Sequence, residues 1–140
     1  MLVIVKPLIQ KKKINMIVKW GQSNPIITGE RFLILQIFEN LILNAIEFSP
    51  TEGKIVIESL GDDKSDHIFI RDQGPGIPEY AKDKIFNKFY SLERPSGTKS
   101  TGLGLSFVRE ALSFHNGIIQ LEQPSNEMIG ANFKLSFPKS

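Results

Sequence analysis

Apolar and polar residues alternate along several short stretches of the chain, and each stretch predicts a β-strand. Between residues 14 and 20 the apolar side chains Ile14, Met16, Val18 and Trp20 fall on one face, which is the two-residue period of a strand with one buried side. A further strand is expected before the first helix, and another over residues 117–122. The remaining alternations are those of Ile55 and Ile57, of Ile68 and Ile70, and of Phe133, Leu135 and Phe137.

Helical periodicity, with apolar residues three or four positions apart, appears in other segments. The longest predicted helix runs from Gly29 to Phe48, and a second runs from Leu103 to His115. Asn116-Gly117 closes the second helix, because both residue types tolerate the left-handed conformation of a C-terminal cap. A shorter helix is expected over Lys6–Lys13.

This order of elements predicts an α+β fold. Two strands follow the long helix and two more follow the last helix, which is typical of a two-layer α/β sandwich. We expect a mixed, mostly antiparallel sheet with the helices on one face, and one domain spanning residues 1–140. Residues 73–101 are an irregular stretch with one short helical candidate at 81–89, and loops of this length are usually functional or disordered.

The composition excludes several classes of protein. Hydrophobic residues make up 41% of the chain and charged residues 23%, so we expect it to fold. A net charge of +2 gives no reason to expect nucleic acid or a membrane surface as the main partner, and the run Lys11-Lys12-Lys13 is interpreted as a solvated helix end rather than a docking patch. The chain has no Cys, which excludes disulfides and Cys-ligated zinc.

The polar face of the long helix carries the first candidate site. Gln36, Asn40, Asn44 and Glu47 lie within an arc of about 80°. The ordinary alternative is a solvated face, but such faces favour Lys, Glu and Arg, whereas Asn is a poor helix former. The two Asn therefore indicate a phosphate or a metal ion, and Mg²⁺ accepts oxygen ligands of this kind.

Two glycine-containing segments flank the irregular stretch. Asp72-Gln73-Gly74-Pro75-Gly76 follows a buried strand and is either a simple turn or a place where backbone approaches a flat ligand, with the Asp72 carboxylate accepting from an amine such as that of adenine. Residues 100–105 open the last helix, where each Gly costs about 1 kcal/mol relative to Ala. Either close helix packing or phosphate binding by bare N–H groups explains that cost.

In this order the segments resemble the motifs of the ATP-binding catalytic domain of two-component sensor histidine kinases, within the superfamily of gyrase, Hsp90, histidine kinase and MutL. The similarity covers essentially the whole chain. Residues 40–50 are similar to the N box, 72–78 to the first glycine box, 84–90 to the F box and 100–105 to the second glycine box. Residues 89–92 with Arg94 resemble the lid of CreC-type sensor kinases.

The resemblance implies a role for each site residue. Asn44 would coordinate a Mg²⁺ ion that bridges the ATP phosphates, and Asn40 would assist on the phosphate side. Phe48 would stack on the adenine, and Asp72 would accept from its amino group. Residues 73–101 would form the ATP lid, pinned by Phe86 and Phe89. The other residues implied to contact or shape the nucleotide site are Gly74, Gly76, Ile77, Arg94, Lys99, Thr101, Gly102, Leu103, Gly104 and Leu105.

Three positions depart from the family pattern. Glu47 occupies a nucleotide-binding position where many members carry Lys or Arg, which calls that phosphate contact into question. Ser100 replaces the usual Gly. Asn40 stands where the ATPases of the superfamily have a Glu general base, so we expect slow hydrolysis and a γ-phosphoryl group kept for another nucleophile.

That nucleophile is expected outside the chain, because neither His67 nor His115 lies in the context of a phosphoacceptor helix. The resemblance implies a longer parent kinase. It also implies two partners of the domain, a dimerisation domain that bears the phosphoacceptor His and a downstream response-regulator receiver domain. We expect the isolated domain to be a monomer, and to be the cytosolic part of an inner-membrane sensor. Two alternatives stay open: a Ser protein kinase of the anti-sigma type, or a regulatory scaffold with this fold.

Overall fold

The computed structural model of the protein describes residues 5–21, 26–95, 97 and 102–139. Its helices are α1 (Val5–Lys12), α2 (Arg31–Phe48) and α3 (Gly104–Phe114). Its strands are β1 (Asn15–Lys19), β2 (Lys54–Gly61), β3 (Ser65–Arg71), β4 (Ile118–Leu121) and β5 (Asn132–Pro138). The strand expected before the first helix falls on residues 1–4, which lie outside the described residues, and Val5 already belongs to α1.

The five strands form one sheet in the order β1-β2-β3-β5-β4. β1 runs parallel to β2, and the other neighbouring pairs are antiparallel. The mixed, mostly antiparallel sheet predicted from the sequence is therefore confirmed. β2 and β3 are joined by a tight hairpin, in which the Asp62 carboxylate accepts hydrogen bonds from the N–H groups of Lys64 and Ser65.

The helices cover one face of this sheet, and the core lies between the two layers. The residues of β3 and β5 that alternate toward the helices are at most 3% exposed, as the two-residue period requires. Each fully buried side chain of this size contributes about 1.5–3 kcal/mol. The core includes Ile68, Ile70, Phe133, Leu135 and Phe137 from the sheet, and Ile37, Leu41, Ala45, Val108 and Leu112 from α2 and α3.

The helix ends differ slightly from the predicted ones for local reasons. α2 begins after Glu30, whose side chain caps the helix by accepting from the Leu33 N–H at 2.7 Å. α3 begins at Gly104, one residue later than predicted, and Leu103 precedes the helix without a side-chain cap. Asn116 has a φ of 59°, which confirms the left-handed cap expected after α3.

Two expectations about regular structure were wrong. Val18 and Trp20 are 48% and 59% exposed, because β1 is an edge strand and the helical layer does not extend over its end. The helix expected at 81–89 is instead a 3₁₀-helix at Glu79–Ala81 followed by successive turns. Phe89 ends these turns with a φ of 68°, and its N–H donates to the Gly102 carbonyl rather than to a preceding helical turn.

Candidate functional site

A cleft of about 170 Å³ lies between the polar face of α2, the start of α3 and residues 90–94. Nine of the site residues expected from the sequence line it: Asn40, Asn44, Glu47, Phe48, Ile77, Arg94, Gly102, Gly104 and Leu105. Five further residues line it that the sequence did not single out as nucleotide contacts: Leu43, Ile85, Tyr90, Ser91 and Leu92. The cleft is smaller than the roughly 300–1,000 Å³ of typical ligand pockets, so a large ligand requires one wall to move.

The floor of the cleft is the polar face of α2. The Asn40 amide nitrogen donates to the Gln36 carbonyl at 2.9 Å, one turn earlier in the helix. This bond fixes the amide so that Oδ1 faces the start of α3, where a Cβ added to Gly104 would lie 3.4 Å from it. The lack of a side chain at Gly104 therefore lets the positive end of α3 approach Asn40 closely.

Arg94 fills the space above this floor. Its Nη2 donates to Asn44 Oδ1 at 3.0 Å, and its Nε lies 3.1 Å from Glu47 Oε2. The guanidinium carbon lies 4.7 Å from the centroid of the Phe48 ring, in a cation–π contact. Its side chain is only 9% exposed. One cation thus contacts three of the side chains expected to bind the nucleotide.

The same guanidinium also donates hydrogen bonds to residues that shortly precede it in the chain. Nη1 donates to the Ser91 hydroxyl at 2.8 Å and to the Leu92 carbonyl at 2.9 Å. Because these contacts and those to α2 meet on one planar group, Arg94 fastens residues 91–94 to the long helix. The segment and the cleft therefore cannot separate without breaking several charge-assisted hydrogen bonds.

Asp72 lies beside the cleft rather than in its wall. It is 3% exposed, and its Oδ1 accepts from the N–H groups of Gly74 at 2.9 Å and Ala131 at 3.1 Å. Burial raises the pKa of Asp72 to about 6, although these two hydrogen bonds act in the opposite direction. Among the described residues, Oδ2 has no hydrogen-bond partner, so one oxygen of this carboxylate is left to accept from a ligand.

The glycines next to Asp72 allow close backbone packing. A Cβ added to Gly74 would lie 2.6 Å from the Phe48 carbonyl oxygen, so the segment after β3 packs directly against the end of α2. Gly76 has a φ of 81°, which a side chain would strain. Gly74 is therefore a neighbour of Phe48, and none of Asp72, Gly74 and Gly76 lines the cleft.

Gly130 is a site residue that the sequence analysis missed. A Cβ at this position would lie 1.9 Å from Asp72 Oδ1, and the Gly130 N–H donates to the Asp72 carbonyl at 3.0 Å. Only glycine leaves room for the buried carboxylate. The signal that could have revealed it was the pair of small residues, Gly130-Ala131, directly before a strand.

The structure gives a packing reason for the first glycine of residues 100–105, where the sequence left packing and phosphate binding as alternatives. Gly102 has a φ of 77°, and an added Cβ would lie 2.4 Å from the Phe89 carbonyl carbon. Close packing against the backbone of Phe89 is therefore sufficient to require Gly at 102. Leu103 is 41% exposed and does not line the cleft, and Lys99 and Thr101 lie outside the described residues.

Phe86 and Phe89 were both expected to pin residues 73–101, and the expectation was wrong for Phe89. Phe86 packs on the core, edge-on to Phe133 with ring centroids 6.3 Å apart. Phe89 is 76% exposed, because its left-handed backbone turns the side chain away from the core. Tyr90 and Leu92 pack against the core instead.

Both histidines take part in structural hydrogen bonds. His115 accepts from the Glu30 N–H at 2.9 Å through Nε2, and its Nδ1 lies 2.7 Å from the Ala111 carbonyl, so it joins the start of α2 to the end of α3. His67 lies between Asp62 and Ser136 on the sheet. Its hydrogen bond is the largest cause that lowers the pKa of Asp62. Neither histidine lines the cleft.

Comparison with known proteins agrees with this fold. The profile of the family described as histidine kinase-, DNA gyrase B- and HSP90-like ATPases matches residues 29–140. Sensor protein CreC of Escherichia coli (strain K12) is 38% identical over 125 residues, which cover 89% of this chain and 26% of CreC. The chain thus spans about a quarter of the length of that relative.

Solved structures give the same result. The nucleotide-free catalytic domain of the histidine kinase ThkA superposes with a TM-score of 0.83 at 32% identity, over 99% of this chain and 88% of that one. A structure of ThkA in complex with the response regulator protein TrrA superposes with a TM-score of 0.79 at 30% identity, over 99% of this chain and 38% of that one.

The chain belongs to the family of histidine kinase-, DNA gyrase B- and HSP90-like ATPases. Within that family it is homologous to the catalytic domains of sensor histidine kinases, which are ATP-dependent protein-histidine kinases of signal transduction. The resemblance inferred from the sequence boxes is therefore confirmed, and nucleotide binding follows from the family. Over the described residues, no helix combines the length and apolar character needed to cross a membrane.

Proposed function

We propose that this chain binds Mg-ATP in the cleft between α2 and the start of α3, and that it transfers the γ-phosphoryl group to a His on a separate dimerisation domain. The observation that carries the proposal is the position of Arg94. A planar cation stacks on Phe48, where the adenine is expected, and bonds to Asn44 Oδ1, where the metal is expected. The cleft therefore already favours a flat group and a positive charge at the two places that Mg-ATP would need them.

The donor set fits a magnesium ion that arrives with its nucleotide. Among the described residues there is no group of three or more His, Asp or Glu that could hold a metal on its own. Mg²⁺ is often bound through one or two protein oxygens together with substrate phosphates and waters. Asn44 would supply the protein oxygen, and the bound ion would neutralise phosphate charge during transfer.

Each remaining side chain has a role that its surroundings support. Phe48 and Asp72 would hold the base, with the Asp72 Oδ2 accepting from the adenine amino group. The N–H groups at the start of α3 would face the phosphates, since Gly104 lets them approach Asn40. Asn40 lacks the carboxylate that activates water, so the domain would position ATP for an external nucleophile rather than hydrolyse it.

Nucleotide entry requires Arg94 to leave the cleft. ATP and the guanidinium would compete for Phe48 and Asn44, so residues 73–101 would act as a lid that Arg94 holds closed over the site. After it leaves, Arg94 remains on the lid as a cation that can approach the phosphates.

The proposal extends to the parent protein. The chain would be the cytosolic catalytic part of an inner-membrane sensor, with a response-regulator receiver domain as the next phosphoryl acceptor. The ThkA–TrrA structure shows one histidine kinase in complex with a response regulator. We propose that the parent of this chain has a partner of the same kind.

Two experiments test the proposal. A fluorescent ATP analogue titrated with and without Mg²⁺ should bind the chain saturably only with the ion. Asn44→Ala should abolish binding, whereas Asn126→Ala, in an exposed turn, should not change it. Well-folded protein that binds no analogue would contradict the proposal.

The second experiment identifies the acceptor. The chain is mixed with radiolabelled Mg-ATP and a dimerisation domain that carries its His. Acid-labile phosphate on that domain is expected, whereas acid-stable phosphate on a Ser would support a Ser kinase instead.

A further inference from the structure

Lys12 differs from the two lysines beside it. The run Lys11-Lys12-Lys13 was interpreted as a solvated helix end, and Lys11 and Lys13 are indeed exposed. The Lys12 ammonium instead donates to three carbonyl oxygens at the end of α2. The acceptors are the carbonyl oxygens of Ile46 at 2.8 Å, Glu47 at 3.1 Å and Ser49 at 2.8 Å. All three donors of the ammonium group are thus used on a neighbouring helix.

The C-terminal turn of α2 needs such a cation. The last carbonyl groups of a helix have no partner within the helix, and they carry the negative end of its dipole. α2 has no basic residue in its own last turn. Lys12, which ends α1, supplies the missing positive charge from another element.

The turn that Lys12 holds is also a wall of the cleft. It contains Glu47 and Phe48, both of which line the cleft. In the same turn, the Phe48 carbonyl packs against Gly74, where an added Cβ would lie only 2.6 Å from the oxygen. Ser49 is 1% exposed and its hydroxyl donates to the Ala45 carbonyl at 2.7 Å, which adds a further constraint. The end of α2 is therefore held both by Lys12 and by the segment that carries Asp72.

We infer that Lys12 is a positioning residue for adenine binding. By fixing the last turn of α2, it would set the separation between the Phe48 ring and the Asp72 carboxylate. Asn40 and Asn44, which would serve the phosphates and the metal, lie earlier in α2 and do not depend on the capped carbonyls. The inference rests on the proposed function of the cleft, and it predicts a defect confined to the base.

The experiment compares a nucleotide with its phosphate part alone. Lys12→Met keeps the methylene stem and removes the ammonium, and Lys11→Met is the matched control. Calorimetry with Mg-ATP should show Lys12→Met weakened by roughly three- to tenfold, with Lys11→Met unchanged. Binding of Mg-tripolyphosphate, which has no base, should stay within about twofold in both variants, and Lys12→Arg should restore most of the ATP affinity.

The other outcomes separate a failure of the inference about Lys12 from a failure of the proposed function. Equal ATP affinity for folded Lys12→Met and Lys11→Met would overturn the inference, and so would an equal loss for ATP and tripolyphosphate, which a purely structural role predicts. If circular dichroism shows that Lys12→Met does not fold, Lys12→Gln, which retains an N–H donor, undergoes the same comparison. Wild-type protein that binds neither compound would refute the proposed function itself, before any variant is compared.

Discussion

Replacing Glu47 by Gln should tighten Mg-ATP binding, although Glu47 lines the site. In the structure the Glu47 carboxylate holds Arg94 in the cleft, at a distance of 3.1 Å between Oε2 and Nε. The substitution removes this negative charge but keeps the size of the side chain, and the Arg94 residue itself is unchanged. Two obstacles to ATP are therefore weakened together: the ion pair that closes the cleft, and the repulsion between a carboxylate and the phosphates.

The size of the effect follows from the exposure of the pair. Arg94 is 9% exposed and Glu47 43% exposed, and an ion pair with one solvated partner contributes about 0.5–1 kcal/mol. If a bound phosphate lies about 7 Å from the carboxylate, the two unit charges repel by about 1 kcal/mol at an effective dielectric constant of about 40. Together these amount to about 1.5–2 kcal/mol, or roughly a 10- to 30-fold gain in affinity.

Calorimetric titration of wild type and Glu47→Gln with Mg-ATP measures this gain. Glu39→Gln removes a carboxylate from the same helix at a position that does not line the cleft, so it is the matched control and should change affinity little. Unchanged or weaker binding by Glu47→Gln would refute the reasoning, since it would mean that the carboxylate does not oppose the nucleotide. An equal gain in Mg-ATP affinity in Glu39→Gln would show that the gain comes from the net charge of the protein and not from the contact between Glu47 and Arg94.

Other predictions concern Asp72, Gly130 and Asn40. Burial raises the pKa of Asp72 to about 6, so the folded protein keeps a proton there that the unfolded chain releases above about pH 4. The free energy of unfolding should therefore fall as pH rises from about 4 to 6. Denaturant unfolding at several pH values should show this slope in wild type and not in Asp72→Asn. ATP affinity should fall below about pH 6 more steeply in wild type than in Asp72→Asn, in which only the phosphates titrate; equal slopes would exclude the carboxylate as the adenine acceptor. Gly130→Ala should cost about 2–4 kcal/mol in urea unfolding, because its Cβ would lie 1.9 Å from Asp72 Oδ1, and a loss under about 0.5 kcal/mol would contradict that packing. Asn40→Glu should raise steady-state ATP hydrolysis by supplying a general base, and no increase with ATP still bound would show that Asn40 does not face the attacking water.

The sequence was most informative where one residue type serves one local requirement. The alternation in β5 predicted a buried face at Phe133, Leu135 and Phe137, because a central strand is covered along its whole length. The same pattern failed at Trp20, since an edge strand can extend past its cover. The Asn pair of α2 indicated a ligand on that helix face, because Asn is a poor helix former, and both residues line the cleft.

Contacts between distant segments could not be predicted from the sequence. Arg94 reaches Glu47 and Asn44 across the cleft, and no local pattern shows which lysine or arginine of a loop will do so. Lys12 looked identical to its neighbours until the end of α2 was placed beside it. Gly130 is required only because the Asp72 carboxylate, far away in the chain, occupies the space that a Cβ would need.

In the proposed function, one cleft binds Mg-ATP and Arg94 must leave it. Amide NMR spectra of the ¹⁵N-labelled chain, recorded during a Mg-ATP titration, test this most directly. The side-chain amides of Asn40 and Asn44, the backbone N–H groups of Gly102 and Gly104 and the Nε–H of Arg94 should shift with one common dissociation constant. Saturating Mg-ATP that leaves these signals in place, or that shifts only residues on the open face of the sheet such as Lys134, would contradict binding in this cleft.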